Sequence, residues 1–170
     1  MIRDEQQAPA AIDQVHRDVK DSGLTSIAVT GVARDVGATT VAVELAERLA
    51  HAGVSTLLVE MDVLNPRFPQ RFNIAPAEWW PGDPGQMSEI RAVSSSLHVL
   101  AAPDIGGAHV TFRERSGLMA AVGEWKGAYQ TVILDCPPIN DPDPDQFRGE
   151  VLASVPDGAN RVVKAGHTTE

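Results

Sequence analysis

Along the chain, short apolar runs alternate with stretches whose apolar positions recur at helical spacing. Ser26 to Thr30 alternate small and β-branched residues, the pattern of a short buried strand, and the run stops at Gly31, where a tight turn becomes possible. From about Thr39 to Ala52, Val41, Leu45 and Leu49 form a helical stripe that ends at Gly53, a C-terminal stop signal. Apolar runs return at Ser55 to Val59, at 97–103 and at Thr131 to Leu134, and Arg161-Val162-Val163 reads as a last strand. Helical stretches cover about 111–125, with Leu118, Met119 and Val122 inward, and 147–155. Ile12, Val15 and Val19 make one face of a short amphipathic segment whose Arg17, Asp18 and Lys20 face solvent. Strands expected near 26–31, 55–61, 97–102, 131–135 and 160–164, joined by helical crossovers, predict an α/β fold. Its sheet is doubly wound and mostly parallel, with helices on both faces.

The chain has 170 residues, 43% of them hydrophobic, enough for one domain with its own core. Residues 1–10 are polar, carry Pro9 and are expected to be a flexible N-terminus, leaving 11–170 as a single domain. A net charge of −9 without a Lys/Arg cluster weighs against nucleic acid and anionic lipid as partners. The lone Cys136 excludes an intramolecular disulfide and a Cys-rich zinc site. No stretch has the apolar core of a signal peptide or approaches the ~18 apolar residues of a membrane span, so a cytoplasmic location is expected. Residues 63–95 are a long connection rich in Pro, Gly and Gln, a length that is commonly functional or mobile. Of its adjacent tryptophans, Trp79 and Trp80, one is expected to pack and the other to offer a contact surface. Asp141-Pro142-Asp143-Pro144-Asp145 reads as a solvated loop rather than a cation loop, because proline fixes an extended path that points the acids apart.

The chemistry concentrates after the first strand. A glycine opening a helix leaves backbone N–H groups that, with the helix dipole, favour an anion. Gly31 and Gly37 with Ala38-Thr39-Thr40 have that form. Set on G-x-x-x-x-G-K-[ST], Gly37 matches, Thr39 stands at the hydroxyl, Ala38 at the lysine and Val32 at the first glycine. A plain helix N-cap by Thr39 or Thr40 is the competing reading. Arg34 is the only cation in this loop, and it either clamps phosphate oxygens or is a solvated surface residue. The runs at 55–59 and 131–134 lead into Glu60-Met61-Asp62 and Asp135-Cys136-Pro137-Pro138, which sets Asp62 and Asp135 beside the loop at the carboxyl edge of a parallel sheet. Thr39, Asp62 and Asp135 are the candidate metal set, with strand-end capping and turn formation as the alternative role.

These motifs together resemble the nucleotide-binding domain of bacterial tyrosine kinases of capsule and exopolysaccharide export, relatives of the MinD/ParA ATPases with a P-loop NTPase-like fold. LLVEMDVLNPRFPQRF resembles the family's LLIDADLRRPxxHxxF (Walker A′), with Asp62 and Pro66 matching, and TVILDCPP resembles its Walker B, VIIDTPP, with Asp135 matching. LHVLAAP at 97–103 resembles LxVLPAG, and PDGANRVVKAGHTT resembles ADxxxxVVRxGxT, so the likeness runs from about Gln14 to the last residues. The resemblance implies ATP and Mg²⁺ as cofactors and catalytic roles for Asp62 and Asp135. The nucleotide would lie against Gly31, Arg34, Gly37, Ala38, Thr39 and Thr40.

The departures from the family are pointed. Ala38 and Ala33 stand where the family has its two loop lysines, Glu60 replaces an aspartate, and Leu64 and Asn65 replace two arginines. Its phosphorylation target is a tyrosine cluster on the C-terminal tail, whereas the only tyrosine here is Tyr129, so tail autophosphorylation is not expected. The expectation is a kinase-like domain with impaired catalysis and weak or absent ATP binding, a regulatory or interaction partner in exopolysaccharide biosynthesis. By resemblance its partner is a membrane-embedded chain-length regulator or another export protein, which would recruit it to the inner face of the membrane, and a homo-oligomer is also compatible. The alternatives are an active Mg-ATP-dependent kinase or ATPase using Arg34, or a MinD/ParA-like nucleotide switch.

Overall fold

The computed structural model describes residues 7–81, 85–103, 115–143 and 146–163. Its elements, in chain order, are α1 (Gln7–Ser22), β1 (Ser26–Gly31), α2 (Ala38–His51), β2 (Thr56–Glu60), α3 (Phe68–Phe72), a 3₁₀ turn (Gln86–Glu89), β3 (Arg91–Ala92), β4 (Leu97–Leu100), α4 (Arg115–Ala128), β5 (Thr131–Asp135), α5 (Gly149–Ser154) and β6 (Gly158–Val162). The sheet order is β3-β4-β2-β5-β1-β6, parallel throughout except for the β3–β4 pair. Every residue of β1, β2 and β5 is buried, as a parallel sheet covered on both faces requires. Along the sheet, β1 to β2 to β4 moves one way, and β4 to β5 to β6 moves back. Right-handed crossovers therefore place α2 on one face and α4 and α5 on the other, the doubly wound arrangement that the sequence predicts.

Several elements refine that expectation. α1 begins at Gln7, inside the stretch expected to be flexible, because Ala8, Ala10 and Ala11 are strong helix formers and Pro9 sits in the first turn, where no N–H is needed; residues 1–6 lie outside the described residues. Ile12 and Val19 are buried, so this amphipathic face belongs to the domain's own core. α2 ends as predicted, with Gly53 in the left-handed region at φ 81°. In α4 the inward stripe is Leu118, Ala121, Val122 and Trp125, while Met119, expected inward, is 54% exposed because it falls outside that i, i+3, i+4, i+7 set. The part of this predicted helix at 111–114 lies outside the described residues. β3 and α3 carry too few residues to show a period. α3 tolerates Pro69 in its first turn and closes on Asn73 at φ 52°.

Of the adjacent tryptophans, one packs, as expected, and the other is exposed. Trp79 is buried, donates its indole N–H to the Ala101 carbonyl at 2.8 Å and meets Trp125 edge to face at 5.8 Å, whereas Trp80 is 38% exposed.

At the amino ends of the strands, Asp157 links three elements. Its Oδ2 accepts from the Thr25 N–H, the Thr25 hydroxyl and the Ser26 N–H, and its Oδ1 accepts from Lys126 of α4 at 2.7 Å. The Lys126 ammonium holds this carboxyl well below the usual aspartate range, against a smaller desolvation effect. A depressed carboxylate stabilises the fold above its unfolded pKa of about 4, and the contribution is lost as pH falls toward the folded value. Asp157→Asn should therefore cost about 1 kcal/mol at pH 7, a figure already reduced for partial exposure, with the deficit shrinking below about pH 4. Urea melts of both proteins across pH measure this, and equal stability at pH 7 would refute it.

Candidate functional site

The phosphate-type loop leaves β1 at Gly31, where a Cβ would lie 2.6 Å from the Val36 side chain and 2.8 Å from the Ala33 carbonyl, so only glycine fits. The chain then turns through two left-handed residues, Asp35 at φ 58° and Gly37 at φ 96°. Gly37 is the N-cap of α2, its carbonyl accepts the Val41 N–H at 3.0 Å, and no side chain caps the helix. This corrects the competing expectation of a Thr39 or Thr40 cap: glycine holds the cap position and neither hydroxyl caps the helix. The loop after β5 is laid alongside, with Cys136 N–H on the Val29 carbonyl and Ile139 N–H on the Gly31 carbonyl.

Between these loops lies a cleft of about 290 Å³. Gly31, Arg34, Gly37, Ala38, Thr39, Thr40 and Asp62 all line it, so every sequence candidate except Asp135 reaches the wall. Asp135 lies just beneath, 2% exposed, within hydrogen-bonding reach of the Thr39 side chain. Its carboxyl is pushed up to about 7, chiefly by burial and with help from Glu60 and Asp62, while Thr39 and Arg67 act in the opposite direction. The Cys136 thiol in the cleft wall is also pushed up by burial, so it is an inert thiol.

Glu60 is not a free charge at the site. It is 1% exposed; its Oε1 accepts from the backbone N–H groups of Arg67 and of Phe68, the latter at 3.0 Å, and its Oε2 accepts from the Ala102 N–H at 3.1 Å. Desolvation raises its pKa although these three N–H groups lower it. The extra methylene over aspartate thus goes into anchoring the turn after β2 to the end of β4.

Arg34 reaches across the cleft. Its guanidinium pairs with Asp141 and lies 4.0 Å from Asp62. Asp141, expected in a solvated loop, has a side chain only 4% exposed and is a partner of the site. The guanidinium supplies the counter-charge that allows this burial. Asp62 is itself held: its Oδ1 accepts from Gln146 Nε2 at 2.6 Å and from the Asn65 N–H at 3.2 Å.

Three participants escaped the sequence reading. Arg67 lines the cleft and pairs with Asp35 at 3.2 Å; its place one residue after the matched Pro66 was the available signal. Asp141 gave a misleading signal through its prolines. Gln146 gave none, since a glutamine that bonds 84 positions away has no local pattern.

Magnesium takes oxygen ligands in octahedral geometry and usually keeps several waters beside ligand phosphates. Thr39 and Asp135 present a hydroxyl and a carboxylate together and fit that mode. Among the described residues no group of three or more His, Cys, Asp or Glu side chains is placed to hold a metal by itself.

No protein-family model matches the chain, and no curated protein matches it by sequence. Solved structures do. The VpsO kinase domain superposes with a TM-score of 0.74 at 21% identity, over 97% of this chain and 83% of that domain. The kinase domain of the Escherichia coli tyrosine kinase ETK gives 0.77 at 19%, over 95% of this chain and 64% of its own. The fold is that of a P-loop NTPase. This P-loop fold extends to cobyrinic acid a,c-diamide synthase from Mycobacterium smegmatis, solved with ADP and magnesium, at a TM-score of 0.58 and 22% identity, over 68% of this chain and 51% of that one. The chain thus spans less than two thirds of the length of the ETK kinase domain and of the synthase.

Removing the Glu60 carboxylate would strand three backbone N–H groups at the rim of this P-loop site. Glu60→Ala should lose about 2–4 kcal/mol of stability, read as a lower urea midpoint. A loss under about 0.5 kcal/mol, the ordinary surface value, would show that the anchor does not matter.

Proposed function

We propose that this domain is a degenerate tyrosine-kinase-like module that acts through contact with another protein in exopolysaccharide biosynthesis and export, with weak or absent ATP binding. The observation that carries this reading is the pairing of Arg34 with Asp141 and Asp62 across the cleft, beside an Ala38 that offers no charge. Phosphoryl transfer depends on cations placed where charge develops between the phosphates, and here the loop's own cation is engaged by carboxylates. The likeness of fold to the VpsO and ETK kinase domains supports the family.

The partner in this reading is the cytoplasmic end of a membrane-embedded chain-length regulator. Among the described residues no helix is long and apolar enough to cross a membrane, so a place at its inner face would come from such a partner. Trp80 and Met87, both more than a third exposed on the connection between β2 and β4, are the contact surface in this reading. A second reading, an active Mg-ATPase or kinase, is favoured by one fact: Arg34 lines the same cleft as Thr39.

Calorimetric titration with ATP·Mg²⁺ separates the two. The wild type should give weak binding or none, and Ala38→Lys should strengthen it by roughly tenfold or more through a charge-assisted contact to phosphate. Tight wild-type binding that Arg34→Ala leaves unchanged would contradict the whole account of the loop. In a pull-down with the regulator's cytoplasmic tail, Trp80→Ala should reduce capture. No association by either the wild type or the lysine-restored protein would overturn the contact reading.

A further inference from the structure

A second concavity, of about 890 Å³, opens between the later turns of α2 and the turn that joins β3 to β4. Glu44, Glu47 and Ala50 of α2 line one side, and Val93, Ser94 and Leu97 line the other. The Ser94 hydroxyl accepts from the Ser96 and Leu97 N–H groups, and the Leu97 carbonyl accepts from the Val93 and Ser94 N–H groups, so this wall is built before anything binds. Ala50, Val93 and Leu97 make the lining partly apolar, and Val93 is 44% exposed. Glu44 is half-buried within it. Its natural helical partner is Arg48, four residues on, but Arg48 pairs with Asp13 of α1 instead. Among the described residues no cation pairs with Glu44, and Glu47 has Arg71 at 3.9 Å, in a pair about half exposed on both sides. A carboxylate partly withdrawn from water without a counter-charge favours any cation that reaches it.

We propose that this groove docks a segment of a partner protein in which lysine or arginine alternates with apolar residues. The cation meets Glu44, and an apolar side chain lies against Val93 and Leu97. The proposal rests on the contact reading given above and adds to it a place and a recognition chemistry. The cytoplasmic flank of a membrane span carries an excess of lysine and arginine, and a chain of net charge −9 attracts such a segment. Charge selects the partner, while the apolar lining distinguishes this groove from the other acidic parts of the surface. Leu97 opens β4, so the groove lies at the amino ends of the strands, whereas the cleft lies at their carboxyl ends. A partner seated here leaves the cleft open.

The probe is a short synthetic peptide of alternating lysine and leucine, titrated calorimetrically into the full chain beside a lysine-serine and a glutamate-leucine peptide. The lysine-leucine peptide should bind, the lysine-serine peptide more weakly, and the glutamate-leucine peptide not at all. Glu44→Gln should weaken the lysine-leucine peptide roughly fivefold, the loss of one charge pair, and Val93→Ser should weaken it too. Asp18→Asn removes an equal charge from the exposed face of α1 and should leave binding unchanged. Glu44 anchors nothing in the fold, so Glu44→Gln should keep the wild-type melting temperature. No binding of the lysine-leucine peptide, equal binding of the lysine-serine peptide, or equal losses in Glu44→Gln and Asp18→Asn would each overturn the proposal. A wild-type chain that sediments as a dimer and is split by Val93→Ser would give the groove to a second copy and overturn it as well. If the regulator's tail is captured and Glu44→Gln leaves that capture intact, the groove fails while the contact reading stands. If the peptide binds at Glu44 but the tail is not captured, the groove stands and the regulator is the wrong partner.

Discussion

A single buried carboxylate holds the functional edge of this domain together. Glu60 ends β2 in a place with almost no access to water, and an ion there is tolerable only because three backbone N–H groups point at it. Those groups belong to Arg67, Phe68 and Ala102, so the same interaction sets the path of the turn after β2, the start of α3 and the exit of β4. Asp62 and Arg67 lie on either side of this anchored stretch. Their positions at the cleft are consequences of a contact that never faces the cleft.

The second organising feature is a balance of charge. A P-loop normally concentrates positive charge at its helix end, whereas this one gathers Asp35, Asp62, Asp135 and Asp141 around two arginines. Crowding and burial act together on Asp135, which is pushed up to about 7. Arg34 relieves part of the excess by bridging two of the other acids. The two guanidiniums offset only part of this negative charge, and the loop keeps its shape without the lysine that the fold usually supplies. Its left-handed turns at Asp35 and Gly37 and the close packing at Gly31 are backbone features that need no cation.

The sheet was largely legible in the sequence because its central strands are buried on both faces and read as apolar runs ended by glycine, glutamate or aspartate. Ser26–Gly31 and Thr131–Asp135 lie where their residues predict. β6 lies two residues earlier than expected, since an edge strand whose residues alternate between partial burial and exposure carries a weaker signal. The loop, Asp62 and Asp135 were legible through spacing and strand ends. The connections among them were not. Asp141 and Arg34 are 107 positions apart, and the alternating Pro142 and Pro144 made the acid look solvated when a distant arginine had drawn it in. Glu60 read only as a departure from the family's aspartate because composition cannot say which way a carboxylate points.

The three tryptophans have an optical consequence. Trp79 and Trp125 are enclosed and touch edge to face, while Trp80 looks outward. Their emission should separate into a blue component from the enclosed pair and a redder component from Trp80, and an aqueous quencher such as iodide would reach only the second. The chain therefore carries two intrinsic lamps, one reporting on the interior and the other on whatever settles against the outside.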